Sequence, residues 1–351
     1  MHIVKNLAAS IAFASLSGIS MAGVEFTAVG NDLWGPLHLA DDGTVLLTQP
    51  LTGVFLGNRN YKWHKDTGYE LVGSGSSWIS DAISHDGQYM LLVSHNGTYE
   101  YHSPEGVLEV GSQGYAGQKI GFMSGNGRVL AAAEYSSPNQ SNPDEGYVNL
   151  WVDGVWQSRL NYPAGTSMMN ISESGDRILL TKGNRDSNGQ WHNIASFLGR
   201  DGVITDIPVD FKGLPRMSDD GHSVSSTMYH AECAVGMSVI YNDITGGLTE
   251  IGCMEDTMTP DQISPDGSIV TGYRGGNSTY PEDAYIWDQA NGVRDLKEIL
   301  LQNGHNVYGW TNFRVTDISA DGLKLVGTGL NEAGEKSGFI TEVVQECKTG
   351  F

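Results

Sequence analysis

Ile263-Ser264-Pro265-Asp266-Gly267-Ser268-Ile269-Val270-Thr271-Gly272-Tyr273 is the stretch that decides the fold. Asp-Gly between two apolar runs marks a hairpin, because glycine accepts the positive φ that a tight turn imposes. Past a polar loop comes Ala284-Tyr285-Ile286-Trp287-Asp288, rich in aromatic and β-branched residues. The turn Gln289-Ala290-Asn291-Gly292 then leads to a fourth strand at Val293-Arg294-Asp295-Leu296. One repeat is therefore a meander of four short antiparallel strands.

The same turn occurs in seven copies. The others are Leu39-Ala40-Asp41-Asp42-Gly43, Ile83-Ser84-His85-Asp86-Gly87, Met123-Ser124-Gly125-Asn126-Gly127, Ile171-Ser172-Glu173-Ser174-Gly175, Met217-Ser218-Asp219-Asp220-Gly221 and Ile318-Ser319-Ala320-Asp321-Gly322. A period of roughly 40 to 55 residues with four strands per unit predicts an all-β chain, a seven-bladed β-propeller of four-stranded antiparallel blades. The last repeat ends on a third strand, Ser337-Gly338-Phe339-Ile340-Thr341. The segment Val24-Glu25-Phe26-Thr27-Ala28-Val29 alternates like the fourth strands elsewhere. Borrowing it would complete the last blade, close the ring and remove two open sheet edges.

Residues 1–22 carry a basic start at His2 and Lys5, an apolar stretch through Ile11, Phe13 and Leu16, and the small-residue close Ser20-Met21-Ala22. That pattern predicts a secretory signal peptide. A single propeller domain at 23–344 and a polar tail at 345–351 are expected to follow. No later segment approaches the roughly 20 apolar residues of a membrane helix. The expectation is an exported monomer, periplasmic or extracellular, without membrane insertion. The formal net charge of −21, from 41 acidic and 20 basic residues, repels phosphate backbones and argues against nucleic acid. Of three cysteines, Cys233 and Cys253 flank a strand-like stretch of one repeat and are expected to pair, while Cys347 stands in the tail.

The run Ile318 to Gly327, with Asp283-Ala284-Tyr285-Ile286-Trp287 and Gly292-Val293-Arg294-Asp295-Leu296, resembles the bacterial extracellular repeat called the HAF family. The likeness continues through a short helical insertion, Asp295 to Leu300, to Gly309-Trp310. A weaker similarity, resting on Ser264-Pro265-Asp266-Gly267, runs to TolB-type propellers and those of prolyl oligopeptidases. The resemblance implies an exported propeller and brings no catalytic residues with it.

Binding is expected on the face of the longer loops, between second and third strands, since long loops on a rigid scaffold concentrate function. Trp78, Tyr115, Tyr135, Trp191, Tyr229, Tyr273 and Trp310 are the ligand-binding candidates there. Aromatic faces beside polar edges suit a glycan, a peptide or a cell-surface protein. The Asp-Gly turns, on the other face, are expected to be structural. Asn184, Asp186 and Asn188 match the opening spacing of a calcium loop, but Ala195 stands where the closing glutamate belongs. No cofactor is expected. His222, His230 and Glu232 fit no common zinc spacing. The alternative reading is an exported polysaccharide lyase or hydrolase with its site near the disc axis.

Overall fold

A computed structural model of the chain describes residues 25–31, 33, 36–50, 58–73, 78–94, 98–110, 119–135, 145–157, 160–163, 165–187, 189–233, 236–253, 258–275 and 283–342. The predicted signal peptide, the tail with Cys347, and Tyr115 lie outside them.

The repeated turn is built by its own side chains. In the six copies that carry a serine, its Oγ accepts a hydrogen bond from the backbone N–H five residues on, at 2.9 to 3.0 Å. In five of these the same hydroxyl donates to the Asp or Asn two residues along, as Ser84 does to Asp86 at 2.6 Å and Ser264 to Asp266 at 2.7 Å. The carboxylate in turn accepts the N–H that follows the glycine, for example Ser268 N–H at 2.9 Å. Asn126 does this work where the aspartate is missing. The glycines then take the positive φ, between 69° and 93° in the seven copies. All six serines are buried and satisfied.

These turns link antiparallel strands into six hydrogen-bonded sheets among the described residues. Four have four strands. The first runs His38–Leu39, Val45–Pro50, Asn58–His64, Gly68–Val72, and the second Trp78–Ile83, Met90–Ser94, Tyr99–Ser103, Gly106–Val110. Another runs Met258–Ile263, Ile269–Arg274, Asp283–Asp288, Gly292–Asp295. The last joins Thr311–Ile318, Lys324–Leu330 and Lys336–Glu342 to the N-terminal strand Phe26–Asn31, with Phe26 opposite Thr341. Phe26 also packs edge-on against Trp310 and stacks on Phe339, at 5.2 and 5.8 Å between ring centres.

Seven separate blades are not what the hydrogen bonding gives. Five sheets have the size of a single blade, and the sixth has eight strands. The strand Ile204–Phe211 reaches far enough for Phe211 to pair with Met228 of the next repeat, and Lys212 N–H extends that seam by donating to Thr227 O at 2.7 Å. The sheet beginning at Lys119–Met123 has a broken last strand: Val155–Trp156 and Leu160–Pro163 both pair with Glu145–Val152.

Apolar side chains fill the spaces between neighbouring sheets. Leu91, Leu130 and Ala132 meet Tyr101 and Trp151 in one such layer, and Leu179, Phe197 and Phe211 meet Met217, Val224 and Val239 in another. Each fully buried leucine contributes about 1.5–3 kcal/mol. The insertion before the last sheet is the helix Leu296–Gln302, capped by Asp295, whose side chain accepts Glu298 N–H at 3.0 Å. Its Leu296 and Leu300 are buried against Trp310 and Phe313. No helix of the described residues is long and apolar enough to cross a membrane.

Candidate functional site in the axial cavity

Five of the first strands carry an irregularity at the same place, three residues before the turn serine or one position from it. The pairing register skips between Ser80 and Ala82, Ile120 and Phe122, Met168 and Asn170, Pro260 and Gln262, and Val315 and Asp317. A bulge opposes two residues to one, so strict alternation fails and a side chain is re-aimed. Its consequence is that consecutive residues face the same space. Asp81-Ala82, Gly121-Phe122, Met169-Asn170, Asp261-Gln262 and Thr316-Asp317 all line one cavity of about 650 Å³, with Pro36 and His38 from the first repeat and Arg216 and Met217 from the fifth. Residues of all seven first strands therefore surround a single axial space.

At the turn end the wall is drawn together by bonds from one turn to the next. Asp41 N–H donates to His85 O at 2.7 Å, His85 N–H to Gly125 O at 2.8 Å, and Asn126 N–H to Glu173 O at 3.3 Å. Glu173 N–H then donates to Asp219 O at 2.6 Å, Asp220 N–H to Pro265 O at 2.8 Å, and Ala320 N–H to the Asp41 carboxylate at 2.6 Å. Inside this necklace His85 Nε2 lies 2.7 Å from Asp219 Oδ2, with Glu173 Oε1 3.9 Å from its Nδ1. Gly125 makes room for the imidazole: a Cβ there would stand 2.8 Å from the His85 ring.

The wall holds charges that oppose one another. Burial alone would lower the His85 imidazole, but the hydrogen bond and charge of Asp219, helped by Asp41 and Asp317, raise it to about 9. Asp317 is pushed up to about 7 by burial, which outweighs the N–H groups of Leu39 and Ile318 bonded to it at 2.9 and 2.8 Å. Asp81 is pushed up to about 7 by burial alone. Farther from the turns, Arg314 grips the buried Asp261 carboxylate with Nε at 2.6 Å and Nη2 at 3.2 Å. Arg216 Nε donates to the Asp261 backbone oxygen at 3.3 Å. Lys336, exposed at the rim, is held below the ordinary lysine range by partial desolvation and by Arg314. Such a cavity offers cationic donors, gathered around Asp261, together with carboxyl groups raised by burial.

The four aromatic candidates whose side chains are described do not form one surface. Tyr273 and Trp310 are buried, 9% and 7% exposed, and pack in the core, Trp310 beside Phe26 and Phe313. This departs from their expected place on a loop face, because each sits at the end of a strand whose neighbours cover it. Trp191 is 48% exposed with the Arg185 guanidinium 5.6 Å from its ring. Tyr229 donates its hydroxyl to Trp191 O at 3.1 Å, and its ring lies near His192 and Lys212. Among the candidates whose side chains are described, only these two are brought together. Trp78 and Tyr135 occupy strand ends whose side chains are outside the described set, as Tyr115 is altogether.

In the calcium-like segment, Asn184 lies exposed in the strand Arg177–Arg185, and Asp186 accepts Gln190 N–H at 2.7 Å to close a turn. Asn188 is outside the described residues, among which no group of three metal-ligating side chains occurs. Cys233 and Cys253 are joined in a disulfide. His222 binds Asp243 at 2.8 Å beside Arg177 on the surface, and His230 caps its own turn by accepting Glu232 N–H at 3.3 Å.

Sequence reasoning missed the axial residues. The signal was present as polar pairs where alternation calls for one apolar residue: Asp261-Gln262 and Thr316-Asp317 stand at the same two positions before the turn.

No family model matches the chain, and no curated protein matches it either. Solved structures do. The chain is similar to the β-propeller domain of the Trilobed protease from Pyrococcus furiosus at 11% identity and TM-score 0.62, over 90% of this chain and 96% of that one. It is similar to the Pyrococcus horikoshii acylaminoacyl peptidase at 12% identity and TM-score 0.59, over 90% of this chain and 52% of that one. A third match is the β-propeller domain of Cps50 (Swd1) from Myceliophteria thermophila, at 14% identity and TM-score 0.53, over 91% and 98%. At these identities the likeness is one of fold, and the chain is an all-β propeller of antiparallel, mainly four-stranded blades.

Proposed function

We propose that this chain is an exported, non-catalytic binding propeller whose ligand site is the axial cavity. The seven repeats are taken as seven blades, with the eight-stranded sheet counted as two joined at Phe211 and Met228, and the N-terminal strand closing the ring. The repeat is taken as HAF-type and the first 22 residues as the export signal. The observation that carries the site is the recurrent bulge. It turns paired side chains from five first strands onto one space, at the cost of ladder regularity, and bulges of this kind mark functional walls. A volume of about 650 Å³ suits a small polar ligand or a peptide segment. Matches to propellers of peptidases keep peptides and proteins among the partners to test.

The test is a glycan and peptide binding array on the mature protein, comparing Gln262→Trp, which fills the cavity, with Trp191→Ala, which strips the exposed aromatic. Binding lost in the first and retained in the second supports the axial site. The reverse result returns function to the long-loop rim. Hydrolysis of any bound probe overturns the non-catalytic reading.

A further inference from the structure

We propose that Arg216, Arg314 and Lys336 form a carboxylate-binding subsite at the long-loop end of the axial cavity, taking a small ligand through its carboxylate. The proposal deepens the axial reading above and rests on it.

All three cations line the same cavity, and the carboxylate beside both arginines is that of Asp261. That carboxylate is 8% exposed, and both of its oxygens are engaged by Arg314. Arg216 stands at 4.0 Å from Asp261 Oδ1, beyond hydrogen-bond reach, and spends only Nε on the Asp261 carbonyl oxygen. The rest of its guanidinium fork carries no hydrogen bond among the described residues and is one-third exposed. Lys336 makes no ion pair through its ammonium among the described residues.

Two guanidinium groups beside one carboxylate, with Lys336 near enough to feel the charge of Arg314, repel one another and lose part of their hydration on a concave wall. They do so in a chain with twice as many acidic as basic residues, where carboxylate neighbours are easily supplied. A ligand carboxylate answers that imbalance. The free edge of Arg216 matches it in a planar, two-bonded geometry, and Lys336 at the rim adds a mobile point charge. Arg314, fixed by Asp261, sets the position of the pair. Its place in the strand, five residues before Ser319 where Asp317 is two before, separates it from the carboxyl groups near the turns.

Calorimetric titration of the mature protein with three probes tests this: a tripeptide with a free C-terminus, the same peptide as its C-terminal amide, and a glucuronate disaccharide. At least one acid should bind, the amide about tenfold or more weaker than the peptide acid if the peptide is the source. Arg216→Gln and Lys336→Gln should each weaken the acid about tenfold and leave the amide unchanged. Lys336→Gln, at the exposed rim, keeps the test valid if the arginine variant does not fold. Peptide binding assigns the carboxylate to a chain terminus, and disaccharide binding alone assigns it to a sugar acid. Equal binding of acid and amide, insensitive to both variants, overturns the subsite. If Gln262→Trp still abolishes that binding, the axial reading stands without it. No binding of any probe by the wild-type protein overturns the carboxylate proposal, while the comparison of Gln262→Trp with Trp191→Ala on the array judges the cavity separately.

Discussion

His85 of the second turn and Asp219 of the fifth meet at 2.7 Å across the narrow end of the axial cavity, so two repeats that share no strand pairing are tied directly. The pair makes stability depend on pH. The folded imidazole, raised to about 9, binds its proton more tightly than the unfolded one near 6.5. Its contribution is therefore complete below about pH 6.5 and is lost as pH rises through 9. Thermal melts of the wild type should fall across that window by the equivalent of about 1–3 kcal/mol. His85→Gln should flatten the alkaline arm, and an unchanged arm would refute the assignment.

Asp81 and Asp317 act with the same sign for a different reason. Burial raises both to about 7, above the unfolded value near 4, so each is protonated in the fold over a range where the free chain is ionised. The destabilisation they cause grows as pH rises from about 4 to 7 and is relieved on acidification. Asp81→Asn should raise the melting temperature at pH 8, by about 1–2 kcal/mol, because it removes a buried charge with no bonded partner among the described residues. Asp317→Asn should not, since both of its oxygens accept backbone N–H groups and an amide supplies one acceptor.

Ser264→Ala tests the repeated turn. It leaves the buried Ile269 N–H without its acceptor and takes one donor from Asp266, whose carboxylate is held below its ordinary range because its hydrogen bonds outweigh burial. A cost of about 1–3 kcal/mol follows from the unsatisfied donor. Denaturant titration measures it, and a cost near zero would show that water replaces the hydroxyl.

Reduction of Cys233–Cys253 should loosen one repeat. The sequence separation of 20 corresponds to a loop-closure contribution of about 3 kcal/mol. Hydrogen exchange with and without reductant should show faster exchange confined to Met237–Asn242 and Gly247–Gly252. Uniform acceleration across the chain would mean that the bridge supports the whole ring.

The fold was legible because its signals are local. Ser-x-Asp-Gly positions its own hydrogen bonds, and the strand pairing of Phe26–Asn31 with Lys336–Glu342 could be anticipated from a missing fourth strand. The eight-stranded sheet was not, since one pairing at Phe211 and Met228 is a tertiary accident of strand length. The site was less legible still. A rule of alternation sends every second side chain away from the axis, and bulges at Asp81, Met169 and Asp261 break that rule without any turn residue to announce it. Aromatic residues drew attention to the rim instead, although burial takes Tyr273 and Trp310 into the core.

Pro265 gives the necklace of turns a clasp. Donors pass from the first turn through to the sixth in one rotational sense and resume from the seventh to the first, and the link missing between is at Pro265, which has no N–H to donate. The seam between sixth and seventh repeats is instead spanned deeper in the cavity by Asp261 and Arg314. Sixth and seventh repeats are thus held by the apolar layer in which Ile269, Ile286 and Leu296 meet Phe313, Val315 and Phe339, with the Asp261–Arg314 pair at its cavity edge, so this seam dispenses with the backbone link that its neighbours use.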